Sequence, residues 1–176
     1  MDTFEAIISR RSIRHFTSEP VEKEWQMKLI QSAMQAPSAH NSQAWQFVVI
    51  DDRQILRKIS DFHPYAEMLR HAPLSIAICG DFDLEKNVDY LALNCAAATQ
   101  NILLTAHSFS LGAVWLGIYP RKKRIRNLSN ILELPNHIIP ISLVVIGYPK
   151  NSKEREDRFH PERIHHNRWQ EKFNVI

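Results

Sequence analysis

Apolar residues recur at helical spacing through the first third of the chain, and prolines interrupt the pattern. Asp2 followed three residues later by Glu5 resembles a capping box. Phe4, Ile7 and Ile8 then make one apolar stripe, predicting a short helix that ends near Arg10-Arg11. Ser18-Glu19-Pro20 is a stop and restart. From Glu22 a second helix is expected to carry Trp25, Leu29, Ile30, Ala33 and Met34 inward. It should close at Ala36-Pro37, because a residue before proline disfavours helical geometry. Trp45 to Ile50 reads as a strand, and Arg53 to Ser60 as a short helix with Leu56 and Ile59 inside. After a break at His63-Pro64, Leu74 to Cys79 reads as a second strand, with Gly80-Asp81 following it.

The stretch from Asp89 to Ser108 is apolar or small nearly all round, the pattern of a helix buried on most sides. At ~1.5 Å per residue it would run ~30 Å, the width of a small domain. Gly112 is expected to end it, and Ala113 to Leu116 to form a third strand. Arg121 to Leu132 resembles a surface helix with Ile125, Leu128 and Ile131 or Leu132 facing in. Ile141 to Ile146 is a continuous apolar run, the signature of a fully buried central strand. Beyond Pro149 the chain is highly charged as far as Arg163 and then carries Trp169 and Phe173. Helices and strands mix without strict alternation, which favours an α+β fold over a doubly wound parallel sheet.

Composition narrows the classes. A chain of 176 residues, 44% hydrophobic and 23% charged, can build a core and is expected to form one domain, 1–176. At this size much surface stays exposed, so oligomerisation is a natural route to more burial. The segment Met1-Asp2-Thr3-Phe4-Glu5 is acidic and has no secretory-signal pattern. The longest apolar candidate for a membrane span, Leu91 to Phe109, is broken by Asn94, Thr99, Gln100, Asn101, His107 and Ser108. Cys79 and Cys95 fall in an expected buried strand and buried helix, not in a disulfide or metal pattern, which makes a reducing cytoplasm the expected location. A net charge of +3 suits an anionic ligand but is too mild to imply nucleic acid.

Four clusters could carry chemistry. Arg10-Arg11-Ser12-Ile13-Arg14 gathers three guanidinium groups and a hydroxyl, which suits phosphate oxygens. A solvated basic helix end, offsetting the macrodipole, fits the same spacing. The polar loop from Ala36 through Pro37, Ser38, Ala39, His40, Asn41, Ser42, Gln43 and Ala44 to Trp45 offers donors and acceptors for the edge of a heteroaromatic ring, or a well-bonded connector. Trp115-Leu116-Gly117-Ile118 is a strand end where glycine lets backbone N–H groups approach a flat ligand. The fourth, Arg155 to Trp169, is by itself a charged tail. The chain has no G-x-S-x-G elbow, P-loop, G-x-G-x-x-G or H-E-x-x-H. The basic run Arg121 to Arg126 reads as a solvated helix face before it reads as a nucleic-acid site.

Taken in order, these clusters resemble the FMN-dependent nitroreductase family. The matching pieces are Arg10 to Arg14 with Phe16, then Ala36-Pro37-Ser38 through Asn41, Gln43 and Trp45, then Leu116-Gly117. Ile146-Gly147-Tyr148-Pro149 and the tail from Arg158 to His165-His166-Asn167-Arg168-Trp169 complete them, so the likeness spans nearly the whole chain. The resemblance implies an α+β nitroreductase-like fold, a central mixed or antiparallel sheet flanked by helices, in an intertwined homodimer with FMN at the subunit interface. It implies that Arg10, Arg11, Ser12 and Arg158 hold the phosphate and ribityl end, and that Arg14 lies beside N1–O2 of the ring. Pro37, Ser38, Ala39, Asn41 and Gln43 would come from the partner chain, and Leu116 and Gly117 would present backbone near N5 and O4.

The implied activity is ping-pong transfer of hydride from NADH or NADPH, through the flavin, to a nitroaromatic, quinone or similar small acceptor. No protein nucleophile, metal, nucleic acid or membrane is called for. The chain is shorter than the best-known members, and Glu67 stands where some relatives place a lysine near the flavin, so the acceptor and the substrate lid are expected to differ. Within the same resemblance stand a reductive dehalogenation or flavin-consuming chemistry and an FMN-binding protein that senses flavin without turnover.

Overall fold

A computed structural model describes residues 1–151, 154 and 156–172. Arg155 of the charged tail and Phe173 lie outside the described residues. Four strands, β1 (Trp45–Ile50), β2 (Leu74–Asp81), β3 (Gly112–Gly117) and β4 (Ile138–Gly147), form one antiparallel sheet in the order β1-β2-β4-β3. Five helices join them: α1 (Thr3–Ser9), α2 (Lys23–Met34), α3 (Arg53–Phe62), α4 (Val88–Ser108) and α5 (Lys122–Ile131).

The central strands β2 and β4 are mostly apolar, with buried Ser75, Asp81 and Ser142 among their polar residues, because both faces of the sheet are covered. Ile76 and Ile78 of β2 and Val144 and Ile146 of β4 pack with Leu29 and Ala33 of α2 and Cys95, Ala98 and Ile102 of α4. Their neighbours Ala77, Cys79, Leu143 and Val145 face the other way, toward Leu56 and Ile59 of α3 and Leu128 of α5. The residues that alternate along each strand thus serve two cores. No helix among the described residues is long and apolar enough to cross a membrane.

Several local expectations need correction. β4 begins at Ile138 and runs through Pro140, where a register shift opposite Ile78/Cys79 leaves Ile141 as the extra residue. A proline, lacking an N–H, is tolerated in a strand at such a bulge. Gly112 does not end α4. The helix stops at Ser108, Ser110 takes the left-handed φ of 60°, and Gly112 is the first residue of β3. Met34 is exposed rather than inward, and α2 ends there, with Gln35 at its C-cap and the break before Pro37 still to come. The α1 stripe is also turned outward in the protomer: Phe4 and Ile7 are exposed and Ala6 makes the buried contact. Asp2 does cap α1, its Oδ1 accepting from the Glu5 N–H at 2.9 Å.

Candidate functional site

After α1 the chain runs beside the free edge of β3. Ser12 forms a parallel bridge with Ala113, and the Ile13 N–H donates to the Ala113 carbonyl at 3.0 Å. Gly112 makes this approach possible, since a Cβ there would lie 2.7 Å from Ile13 Cγ2. Farther on, Phe16 bridges Pro149. The basic cluster is therefore laid along a rigid sheet edge.

The cluster divides. Arg11 is buried and turned back: Nε donates to Glu154 O at 3.0 Å, Nη1 to Ile8 O and Arg10 O, and Nη2 to Glu156 O. With these carbonyls engaged, its hydrogen bonds brace the incoming tail against α1, and what remains for a ligand is its charge. Arg10, Arg11 and Arg158 line one cleft of ≈ 790 Å³ with Phe4, Ile7 and Phe159 among its apolar walls. Burial, then the charges of Arg158 and Arg11, pull the Arg10 guanidinium below its ordinary pKa. Arg10 Nε is buried with no hydrogen-bond partner among the described residues. Such a desolvated, self-repelling group is stabilised by an anion. Arg158 itself is exposed and holds Glu156 Oε2 through Nη2 at 2.7 Å and Nε at 3.1 Å. Arg14 opens into a second cleft, of ≈ 340 Å³, shared with Glu67, Met68, His71 and Lys150.

The polar loop is strained and tightly self-bonded. His40, Asn41 and Gln43 all have positive φ, 55°, 52° and 46°, conformations rare outside glycine and concentrated at functional sites. Ser38 Oγ accepts from the Gln43 N–H at 3.0 Å, and Gln43 Nε2 donates to Asn41 Oδ1 at 2.8 Å. Buried Asn94 of α4 anchors the turn, its Oδ1 accepting from the Ala39 N–H at 2.9 Å and its Nδ2 donating to Ser42 Oγ at 3.3 Å. Pro37 is exposed and leads into it.

At the far end of β3, Leu116 is buried and Gly117 exposed. Backbone groups of an edge strand alternate between partner and open edge. The Ala113 carbonyl turns outward to Ile13 and the Ile118 N–H turns inward to Ile141 O, so the Gly117 N–H points to the open edge. Gly117 does not have a positive φ, and a Cβ there would meet nothing within 4 Å. Conformation does not demand glycine at this position, and neither does packing against the chain's own atoms. Its carbonyl accepts from His63 Nε2 at 3.2 Å and Arg124 Nη1 at 2.7 Å.

The arginine cluster and the Ser38 loop do not meet within the chain. The Ser38 loop enters β1 at Trp45, opposite Gly80, which pairs with Ile139; Ser12 lies beyond Ala113, which pairs with Ile146. Four spacings of ~4.8 Å across the sheet and seven residues along β4 at ~3.3 Å put the two clusters ~30 Å apart. Two residues at Gly117 escaped the sequence reading. His63 passed for part of a chain break, and Arg124 lay inside a basic run. Elsewhere, Asp81, Asp83 and His137 bring potential metal ligands within 4.8 Å of one another, but Lys86 Nζ already lies 2.8 Å from Asp83 Oδ1.

A three-layer α+β protomer with a guanidinium-lined cleft at a sheet edge and a bare glycine farther along that edge has the features of a flavin-nucleotide protein. The sequence model of the nitroreductase family matches residues 7–63 and 62–148. A protein of Methanothermobacter thermautotrophicus, provisionally named NADH dehydrogenase/NAD(P)H nitroreductase, is 42% identical over 169 residues, 96% of this chain and 88% of its own. A solved structure with the same provisional name, from Parabacteroides distasonis, superposes with a TM-score of 0.92 at 39% identity, covering 95% of this chain and 98% of that one. An FMN-dependent nitroreductase from Clostridium difficile superposes with a TM-score of 0.87 at 27% identity over 94% and 99%. The chain belongs to the nitroreductase family.

Proposed function

We propose that the protein is an NAD(P)H-dependent flavin oxidoreductase that binds FMN across a homodimer interface and reduces a small oxidised acceptor, a nitroaromatic, a quinone or a similar compound. The observation that carries this reading is the arginine trio around a cleft, with Arg10 Nε buried and unpartnered among the described residues. The names of the relatives, which include NAD(P)H nitroreductase and FMN reductase, support the donor and the cofactor. FMN bound there would supply two-electron redox chemistry between NADH or NADPH and the acceptor.

The protein's own contributions are binding and electrostatics. Arg10 and Arg158 are assigned the phosphate, with Ser12 beside them and Arg11 adding charge while it fixes the tail. Arg14, exposed in its own cleft, is assigned the ring edge where negative charge gathers on reduction. A fixed cation there stabilises that charge without reorganisation. Glu67 lines the same cleft and moderates the effect. Leu116 and Gly117 present backbone to the ring, and Pro37, Ser38, Ala39, Asn41 and Gln43 complete the site from the second copy. One domain, 1–176, is assigned to all of this.

The test is anaerobic mixing of purified protein with NADH or NADPH. A yellow protein that bleaches, releases FMN on denaturation and recolours with a quinone is expected. A colourless protein that cannot be reconstituted with FMN overturns the reading, and a flavin that does not bleach leaves a sensor rather than an enzyme.

A further inference from the structure

We propose that His63 and Arg124 are positioning residues that clamp the Gly117 carbonyl and so fix the Gly117 N–H as a preorganised donor toward the flavin; this rests on the FMN reading above. Gly117 combines two properties that otherwise conflict. The site needs a bare backbone, and glycine is the residue whose backbone orders least readily. Gly117 closes β3 on the open edge of the sheet, and a Cβ there would have no neighbour within 4 Å, so no side-chain packing at that point restrains it.

The restraint comes instead from two other elements. His63 follows α3, is 2% exposed, and its own N–H donates to Ile59 O at 3.2 Å. The Tyr65 N–H donates to His63 Nδ1 at 3.3 Å, so Nδ1 is the acceptor and the proton sits on Nε2. That Nε2–H donates to Gly117 O at 3.2 Å. Burial, with Arg124 nearby, lowers the His63 pKa, which keeps the imidazole neutral and the tautomer fixed. Arg124, in the first turn of α5, donates from Nη1 to the same oxygen at 2.7 Å, its guanidinium 5.7 Å from the Tyr65 ring centroid. The next two residues, Ile118 and Tyr119, both donate their N–H to Ile141 O. Donors from the post-α3 loop and from α5 therefore hold the carbonyl end of the Gly117–Ile118 peptide unit and β4 holds its N–H end, so this planar unit is fixed and only the two Gly117 dihedrals separate it from the Gly117 N–H. A tie between α5 and β3 alone would not require a second donor, buried and tautomer-locked, on the same carbonyl.

The experiment compares Arg124→Met, Arg124→Lys, His63→Leu and His63→Gln by three readouts: the backbone order parameter of Gly117 in flavin-free protein, FMN affinity, and the midpoint potential of bound FMN. Arg124→Met and His63→Leu should loosen Gly117, weaken FMN roughly 2- to 12-fold, the worth of one ordinary hydrogen bond, and move the potential to more negative values. The donor-retaining Arg124→Lys and His63→Gln should recover much of each change. Because Arg124 lies on the surface helix α5, Arg124→Met keeps the test available if His63→Leu fails to fold. Unchanged Gly117 order and unchanged potential in folded Arg124→Met would overturn the clamp. Failure of the unaltered protein to bind FMN would overturn the flavin reading instead, since Gly117 order in the flavin-free protein reads the clamp by itself.

Discussion

Arg158 faces a competition that decides how much it contributes. Its guanidinium already holds Glu156, and an exposed ion pair of this kind is worth little. A phosphate arriving at Arg10, whose Nε has no hydrogen-bond partner among the described residues, would draw Arg158 from Glu156 at small cost. A hydrogen bond to charge contributes ~1.5–3 kcal/mol, and the exchange places Arg158 at the lower end. Arg158→Ala should therefore weaken FMN about tenfold and leave riboflavin, which lacks the phosphate, unchanged. Titrating both flavins into flavin-free protein checks this, and an equal loss for the two would show that Arg158 braces the pocket without touching phosphate. The arginine cluster was visible in the chain because three guanidinium groups fall within five residues. That Arg11 turns away was not visible, because two of the carbonyls it satisfies belong to Glu154 and Glu156, more than 140 positions on. His63 and Arg124 were hidden for the same reason: their shared acceptor, Gly117 O, is distant from His63 in sequence and is a backbone atom, which carries no residue-type signal.

Among the elements, strand β1 was legible residue for residue, and α3, α4 and α5 to within two residues at each end, because apolar period and turn residues agree there. Departures occur where tertiary contact outweighs local preference. The apolar run suggested that β4 starts at Ile141, but the strand reaches back to Ile138 through Pro140, at a bulge against β2. Gly112 suggested a helix end, whereas the glycine is required by what lies beside it. A Cβ at Gly112 would approach Ile13 Cγ2 to 2.7 Å and Ile13 Cβ to 2.9 Å, and the latter is stiffly tied to the backbone of the arginine segment. Gly112→Ala should therefore destabilise by ~1–3 kcal/mol through overpacking, measured by denaturant unfolding. Adding Ile13→Ala should return part of that loss, so the double variant is more stable than the sum of its parts. If Gly112→Ala unfolds at the same denaturant concentration as the parent, the edge is looser than its contacts imply, and the arginine segment is not held by this approach.

For the whole molecule, surface area and site geometry lead to the same expectation. The protomer exposes 11008 Å², whereas a compact monomer of 20.5 kDa would expose ~8,850 Å². Part of the excess belongs to the exposed tail after Pro149, and part to apolar side chains on the helices. The exposed apolar side chains include Phe4 and Ile7 of α1, Met27 and Met34 of α2, and Tyr90 and Leu93 of α4. Leu93, 65% exposed, stands one residue from Asn94, which anchors the Ser38 loop. The exposed face of α4 and the loop proposed to reach a partner's flavin are thus parts of one structure. With the arginine segment and the Ser38 loop ~30 Å apart in one chain, a second copy is the simplest way to bring both to one ligand. Leu93→Asp should set a charge into the covered face, and an unpaired buried charge costs several kcal/mol. The expected outcome is a monomer in sedimentation that keeps its helical circular dichroism and loses FMN, although Leu93 is not assigned to touch it. A variant that stays dimeric with FMN bound would exclude Leu93 from the interface. A parent protein that sediments as an FMN-loaded monomer would show that one chain completes the site alone, against the separation its own sheet imposes.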